Sequence, residues 1–450
     1  MRHLVLLILS LLLIAPLPAS EPVEVEIPAA AWDRRDLPLL VSVPPSLAEA
    51  EHLQLTRNGE TVPVQWLHRE HRLAACIWLK EVPVGESFRG TLRERPEPST
   101  NLPSDGHTSS NSPLQQTTVN VVVTENRETG SIEVTVRGKP VLSYAIELRQ
   151  PPPKIDAVYA HSGHIHPLRS PAGHILTSEF PADHAHQHGL FGAWVNTSFE
   201  GRKVDFWNEG GRTGKVSHHR VIGTTSGDVF GDFTVELRHR DLSSPNGPRD
   251  VLTERLTVRV WNTTGPRLVD LMSVQSCATE SPLQIREYHY GGRAMRGLEN
   301  WLGKTGVDVT TSEGKNRVAA NHSRPAWVAL SGPVDTESNA TKSATNEESS
   351  PTRAEFRAGL AMMGHPTNIR YPEPVRIHPD KPYFVFTPCV LGPFEISPKT
   401  PFVSRYRCVT FDGTADPKLL DRYSQSYAEF SSDKLPNNSH NNGSTDQAVR

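Results

Sequence analysis

The sequence offers little for cross-linking, for membrane insertion or for charge-driven binding. It has four cysteines in 450 residues, Cys76, Cys277, Cys389 and Cys408, and their spacings match no zinc-site pattern. Cys389 and Cys408 lie in neighbouring apolar stretches, where they can pair across strands or stay buried as thiols. No sign of charge dominates, since 47 Lys and Arg against 50 Asp and Glu leave a formal net charge of −3. That balance gives no electrostatic grip on nucleic acid or an anionic membrane. Beyond the first twenty residues no apolar run is long enough to span a bilayer. There is no internal repeat, phosphate-binding glycine loop, dinucleotide fingerprint or Gly-x-Ser-x-Gly elbow.

What is present begins with "MRHLVLLILSLLLIAPLPAS", a basic start, an apolar run and small residues. This is a signal-peptide pattern over 1–20, with an uncleaved anchor helix as the alternative. It implies a secreted or periplasmic protein with no membrane span after cleavage. The 38 prolines and 31 glycines favour many turns over long helices. Short alternating runs over 21–95, with an Asn58-Gly59 hairpin signal, predict a small N-terminal β-sandwich module. Residues 96–117 are Pro/Ser/Asn-rich and read as a disordered linker. From 118 to 430 period-two, β-branched runs resume and predict a large antiparallel β-sandwich. Residues 335–352 read as a disordered insertion and 431–450 as a disordered tail. Only 416–430 has a helical pattern, so the fold class is all-β with few helices.

The stretch "DHAHQHGL" (183–190) places His184, His186 and His188 at alternate positions. In a strand these side chains share one face, with Ala185 and Gln187 facing away. Imidazoles on one face suit acid/base work or metal ligation; a polar surface loop is the plainer reading. Asp205, Trp207 and Glu209 alternate in the same way, with Trp194 upstream. Aromatic rings stack on sugar faces and carboxylates bind hydroxyls, although for either tryptophan alone a core anchor is the better reading. "REYHYGG" supplies Glu287, Tyr288 and His289, and "GHPTNIRYP" supplies His365, Asn368 and Arg370. Arg370 can clamp a carboxylate or be an ordinary turn arginine.

In this order, "FPADHAHQHGLFGAW", "VDFWNEGG", "REYHYGG", "TSEGK", "RPAWVALSG" and "GHPTNIRYP" resemble a family of bacterial secreted proteins of unknown function labelled methane oxygenase PmoA, over roughly 155–415. The family's first motif runs closer to Asp-His-Pro-His-His-Arg-Gly. This chain keeps Asp183, His184, His186 and Gly189 but has Ala185, Gln187 and His188 at the other places, so no arginine role carries over to position 188. A membrane methane oxygenase subunit needs several transmembrane helices, so the label implies no chemistry here. The β pattern with its His-Gly-aromatic motif is also similar, at the level of fold, to the β-supersandwich of aldose epimerases.

Three functions are consistent with these residues. The first is a carbohydrate-binding or carbohydrate-active protein. His184, His186 and Glu287 would be its acid/base candidates. Arg169, His188, Trp194, Asp205, Trp207, Glu209, Tyr288, His289, His365, Asn368 and Arg370 would be its ligand-binding set. The second is a metal-dependent oxygenase or hydrolase using His184, His186 and His188. The third is a noncatalytic glycan-binding module. The expected partner is a small molecule or glycan, and the sequence names no cofactor.

Overall fold

The computed structural model describes residues 21–67, 74–95, 119–303, 306–334 and 356–430. The signal segment, the linker, the insertion at 335–352 and the tail expected from sequence lie outside these residues. Among them the chain is all-β with a single α-helix, Pro417–Glu429.

The first strands form two small antiparallel sheets. One runs Val23–Ile27, Phe88–Glu94, Leu53–Arg57, Glu60–Val62, and the other Arg34–Ser42, Ala74–Val82, Val64–Trp66. Between Leu53–Arg57 and Glu60–Val62 the chain turns on Asn58 and Gly59, both at positive φ, as the hairpin signal requires. Val25, Leu39, Leu55, Ile77, Phe88 and Leu92 pack together between these sheets.

Two eight-stranded antiparallel sheets follow. The first has the order Val375–Ile377, Tyr383–Phe386, Gly292–Arg296, Leu190–Ala193, Ile165–Leu168, Lys139–Ala145, Ser131–Val136, Val121–Asn126. The second has the order Gly214–Thr225, Phe230–Asp241, Arg249–Trp261, Arg267–Cys277, Phe402–Asp412, Arg357–Gly364, Trp327–Pro333, Asp308–Thr311. Strand alternation sorts their side chains. Phe233, Val235 and Leu237 are buried, while Thr234, Glu236 and Arg238 between them are partly exposed. The inner faces share one core, in which Phe233, Leu256, Val258 and Leu271 meet Ile132, Tyr144, Leu190 and Met295.

The outer face of the second large sheet carries a further apolar cluster. Trp261, Trp327, Val409 and Phe411 are covered there by Leu37 and Cys76 of the N-terminal sheets and by Leu420, Tyr423 and Tyr427 of the helix. Polar bonds fix this arrangement. Gln65 Oε1 accepts from the backbone N–H of Val229 and Phe230, and Asp36 Oδ2 accepts from those of Thr264 and Gly265. All four cysteines are free thiols, so Cys389 and Cys408 do not pair. Cys408 instead sits mid-strand opposite Val269 and Met362, where burial pushes its thiol up to about 12.

The helix begins where its sequence says it should. Asp416 accepts from the backbone N–H of Lys418 and Leu419, and Pro417 fills the first helical position, where no N–H is needed. Replacing Asp416 with Ala should cost about 1 kcal/mol, read as a lower denaturant midpoint. An unchanged midpoint would show that tertiary packing alone sets this helix end.

Candidate functional site

"DHAHQHGL" does not form the expected strand. It makes two consecutive turns, in which His184 N–H donates to Pro181 O and Gln187 N–H to His184 O. The alternation is therefore lost: His184 and His186 are half-buried, whereas Gln187 and His188 are buried side by side. The cause is Arg296, at the end of the strand Gly292–Arg296 and fully buried. Its guanidinium donates to Asp183 Oδ1 at 2.6 Å, to Asp183 Oδ2 at 3.1 Å and to Gln187 Oε1 at 2.9 Å. A buried guanidinium needs such partners, and they fold the segment over it. Gly189 then lets the chain leave the turn at φ +55°. A Cβ there would stand 2.1 Å from the Ile165 carbonyl oxygen.

Below the turn lies a buried imidazole and carboxylate centre. His161 is set by a bridge to Arg149, and His188 by a bridge to Glu179. Their rings stack, with centroids 4.1 Å apart and planes 6° from parallel. Both edges face Glu209, held in the short turn Glu209–Gly211. His161 Nδ1 is hydrogen-bonded to Glu209 Oε1 at 2.8 Å, and His188 Nε2 lies 3.5 Å from Glu209 Oε2. His164 flanks both rings at 5.3 Å and bonds Glu179 through Nε2 at 2.5 Å. Lys215 Nζ, bonded to the carbonyls of Val158 and Ala160, is 3.6 Å from Glu209 Oε1. Among the described residues neither His188 nitrogen, nor Glu209 Oε2, nor His164 Nδ1 has a hydrogen-bond partner. Burial, with the charge of His161, drives His188 well below the ordinary imidazole value. Burial alone would raise Glu209, but His161 and His188 hold it far below the carboxylate range.

Above this centre, side chains from separate segments form a rim. His186 lies 5.4 Å from His184 and 6.5 Å from Tyr159 by ring centroids, and His184 lies 6.2 Å from His378 and 6.4 Å from Tyr383. Tyr290 donates to Asn208 Oδ1 at 3.1 Å and packs on Trp207. Burial lowers His186 to about 4, with the charge of His184 adding to the effect. It is therefore neutral over the whole physiological range.

Other expected site residues are structural. Trp194 is buried, donates to Gln275 and packs on Phe394 and Phe402. Trp207 is buried against Phe191 and Tyr290, so it floors the rim rather than offering a free stacking face. Both Asp205 oxygens serve its own turn, accepting from the N–H of Trp207 and Asn208 and from the Asn208 amide. Arg370 is no carboxylate clamp, because its guanidinium donates to the carbonyls of Pro388, Gly392 and Pro393. Arg169 donates to Gly173 O. His365 packs on Tyr427 of the helix, and Asn368 joins Glu373 to the Arg405 backbone. Glu287 is exposed, with no side-chain hydrogen bond or ion pair to any described residue, which removes it from the acid/base pair expected with the histidines. Tyr288 and His289 stack beside Tyr290 at the rim's edge. The metal set His184, His186 and His188 is not assembled either, because Gln187 and His188 turn inward while the other two stay outside. Among the described residues, the group with metal-ligand spacing is His161, His188 and Glu209.

The profile of one protein family matches residues 131–425, a span that takes in both the buried centre and the rim. The chain belongs to DUF6807. That family is described as one of unknown function, and its description carries no methane oxygenase label. No curated protein matches the chain. Among solved structures, this DUF6807 chain is similar to an alpha-mannosidase from Enterococcus faecalis V583 at a TM-score of 0.38 and 9% identity, over 91% of this chain and 45% of that one. It is also similar to a glycosyl hydrolase family 38 protein from Enterococcus faecalis, at a TM-score of 0.36 and 8% identity, over 91% and 46%. The chain spans less than half the length of either, and likeness this distant transfers no activity.

His161, His164, Tyr159, His378, Tyr383 and Arg296 belong to the site without being among the residues expected from sequence. The first two had a signal, since "HSGHIHP" (161–167) is as rich in histidine as the stretch that drew notice. The others are single residues whose partners are supplied only by the fold.

Two tests follow from this geometry. Gln187→Ala removes an acceptor from a buried guanidinium and should cost about 2 kcal/mol in denaturant unfolding. A wild-type midpoint would return Gln187 to the outward position that alternation assigns it. Glu373 is buried, and burial pushes its carboxyl from near 4.5 up to about 7, against the bonds from Tyr406 and Asn368. Between those two values the folded chain keeps a proton that the unfolded chain has lost. Its contribution to stability is therefore complete below about 4.5 and is lost as pH rises through 7, roughly 3 kcal/mol in all. Glu373→Gln, which mimics the protonated acid, should gain on wild type in Tm between pH 5 and pH 8. An equal difference at both pH values would refute the raised pKa.

Proposed function

We propose that the protein binds a carbohydrate on the rim formed by Tyr159, His184, His186 and Tyr290 above the buried Tyr383. One observation carries this reading. Half-buried rings from three separated segments converge on one surface, beside the polar turn at Asp205 and Asn208. Such side chains present an apolar face for a sugar ring and a polar tip for its hydroxyls. The reading rests on these side chains and not on the distant likeness to the mannosidase. The basic, apolar first twenty residues support export, and so a periplasmic or secreted place of action.

Chemistry on the bound sugar is a finer proposal. A neutral His186 can accept a proton but carries none to give near pH 7, so its role would be that of a base. Glu287, exposed and unconnected to the histidines, is not its partner.

Thermal shift and titration calorimetry with neutral and uronic sugars test the binding. At least one sugar should raise Tm. Tyr290→Ala and His186→Ala should each weaken its binding tenfold or more, and Glu287→Ala should leave it within twofold. Silence across the panel, or rim variants that bind like wild type, would end this reading.

A further inference from the structure

We propose that His161, His188 and Glu209 form a site for one divalent transition-metal ion. Two imidazoles and a carboxylate are a donor set suited to zinc or iron(II). Their ligand atoms all lie within 4.8 Å of one another, and all three residues are buried. An ion about 2.1 Å from each donor wants them roughly 3 to 4 Å apart, so small side-chain rotations close the set.

A second observation is independent of that spacing. His188 is 1% exposed and Glu209 3%, yet both nitrogens of the one and Oε2 of the other lack a hydrogen-bond partner among the described residues. Buried polar groups normally find partners, because leaving them unpaired forfeits their hydration for nothing. A carboxylate of the same core shows the usual pairing. Glu254, equally buried, accepts from His239, Ser273, Gln275 and Arg293. Nε2 of His188 and Oε2 of Glu209 thus stand 3.5 Å apart, where a cation would use both.

The donors are also held before any ion arrives. Bridges fix His161 and His188, and Asp205 holds the N–H of Trp207 and Asn208 just ahead of the turn that carries Glu209. Lys215 approaches Glu209 through Oε1 at 3.6 Å, so the ion takes the Oε2 side, where His188 Nε2 stands. None of the rim rings belongs to this donor set, so the site does not depend on the carbohydrate reading.

The test uses the full chain, freed of metal with a chelator and titrated with Zn(II) and Co(II). One equivalent should bind. Glu209→Gln and His188→Ala should each lose at least a hundredfold in affinity. His184→Ala and His378→Ala, which disrupt the surface imidazole pair that would compete for metal, should stay within threefold. X-ray absorption of the wild-type Co(II) complex should show two imidazoles, and this settles the ligands even if the His188 variant does not fold. Absence of a stoichiometric ion, an absorption spectrum without imidazole, or affinity lost in the surface variants and kept in Glu209→Gln would each overturn the proposal. Sugar binding without metal, or metal without sugar, tells the two readings apart.

Discussion

The fully buried guanidinium of Arg296 is the contact on which the site depends. It takes Asp183 at one end of a turn and Gln187 at the other, and so dictates the path of everything between. His184 and His186 are left at the surface because their neighbours are drawn in. His188 is carried down beside His161 because Gly189 follows at a φ that other residues rarely adopt. Removing Asp183 would leave the buried guanidinium without its counter-ion, which is among the costlier changes a core can suffer.

The interior of the sandwich shows two ways of burying polarity. The strand Arg249–Trp261 alternates as a strand should, yet one of its inward positions is Glu254 rather than an aliphatic residue. Four donors surround this carboxylate. Burial opposes its charge, but His239 and Arg293 hold it down to about 2. Both oxygens of that carboxylate are paired twice, although Nδ1 of His239 is left without a partner. Glu209 is as deeply buried, but one of its oxygens and the neighbouring imidazole lack partners. Polarity alone therefore does not mark the functional region; what sets Glu209 and His188 apart is that their unpaired atoms face each other at 3.5 Å.

What the sequence revealed follows from the range of the forces involved. Strands, the Asn58-Gly59 hairpin and the helix start at Asp416 are decided by neighbouring residues, and all of these were legible. The histidine stretch stands out by its composition, but its conformation does not follow from its spacing. A period-two pattern describes a strand only if nothing distant overrules it, and Arg296 lies more than a hundred residues away. Trp194 and Arg370 carried the same ambiguity. An indole or a guanidinium reads alike in a core and in a cleft until its acceptors, Gln275 for one and three carbonyls for the other, are in place.

The outer cluster on the second large sheet joins the two ends of the described chain. Leu37 and Cys76 come from its beginning, Leu420 and Tyr427 from its last turns, and all rest on Trp261, Trp327 and Phe411. Arg34 and Trp32 also reach Glu429 directly. A chain made from its N-terminus onward therefore holds an open apolar seam until the helix Pro417–Glu429 emerges. Assembly is then a matter of closure, with the helix acting as a latch on the strands that hold Leu37 and Cys76. A nascent chain halted before residue 417 would present that seam to whatever chaperone or aggregate met it first.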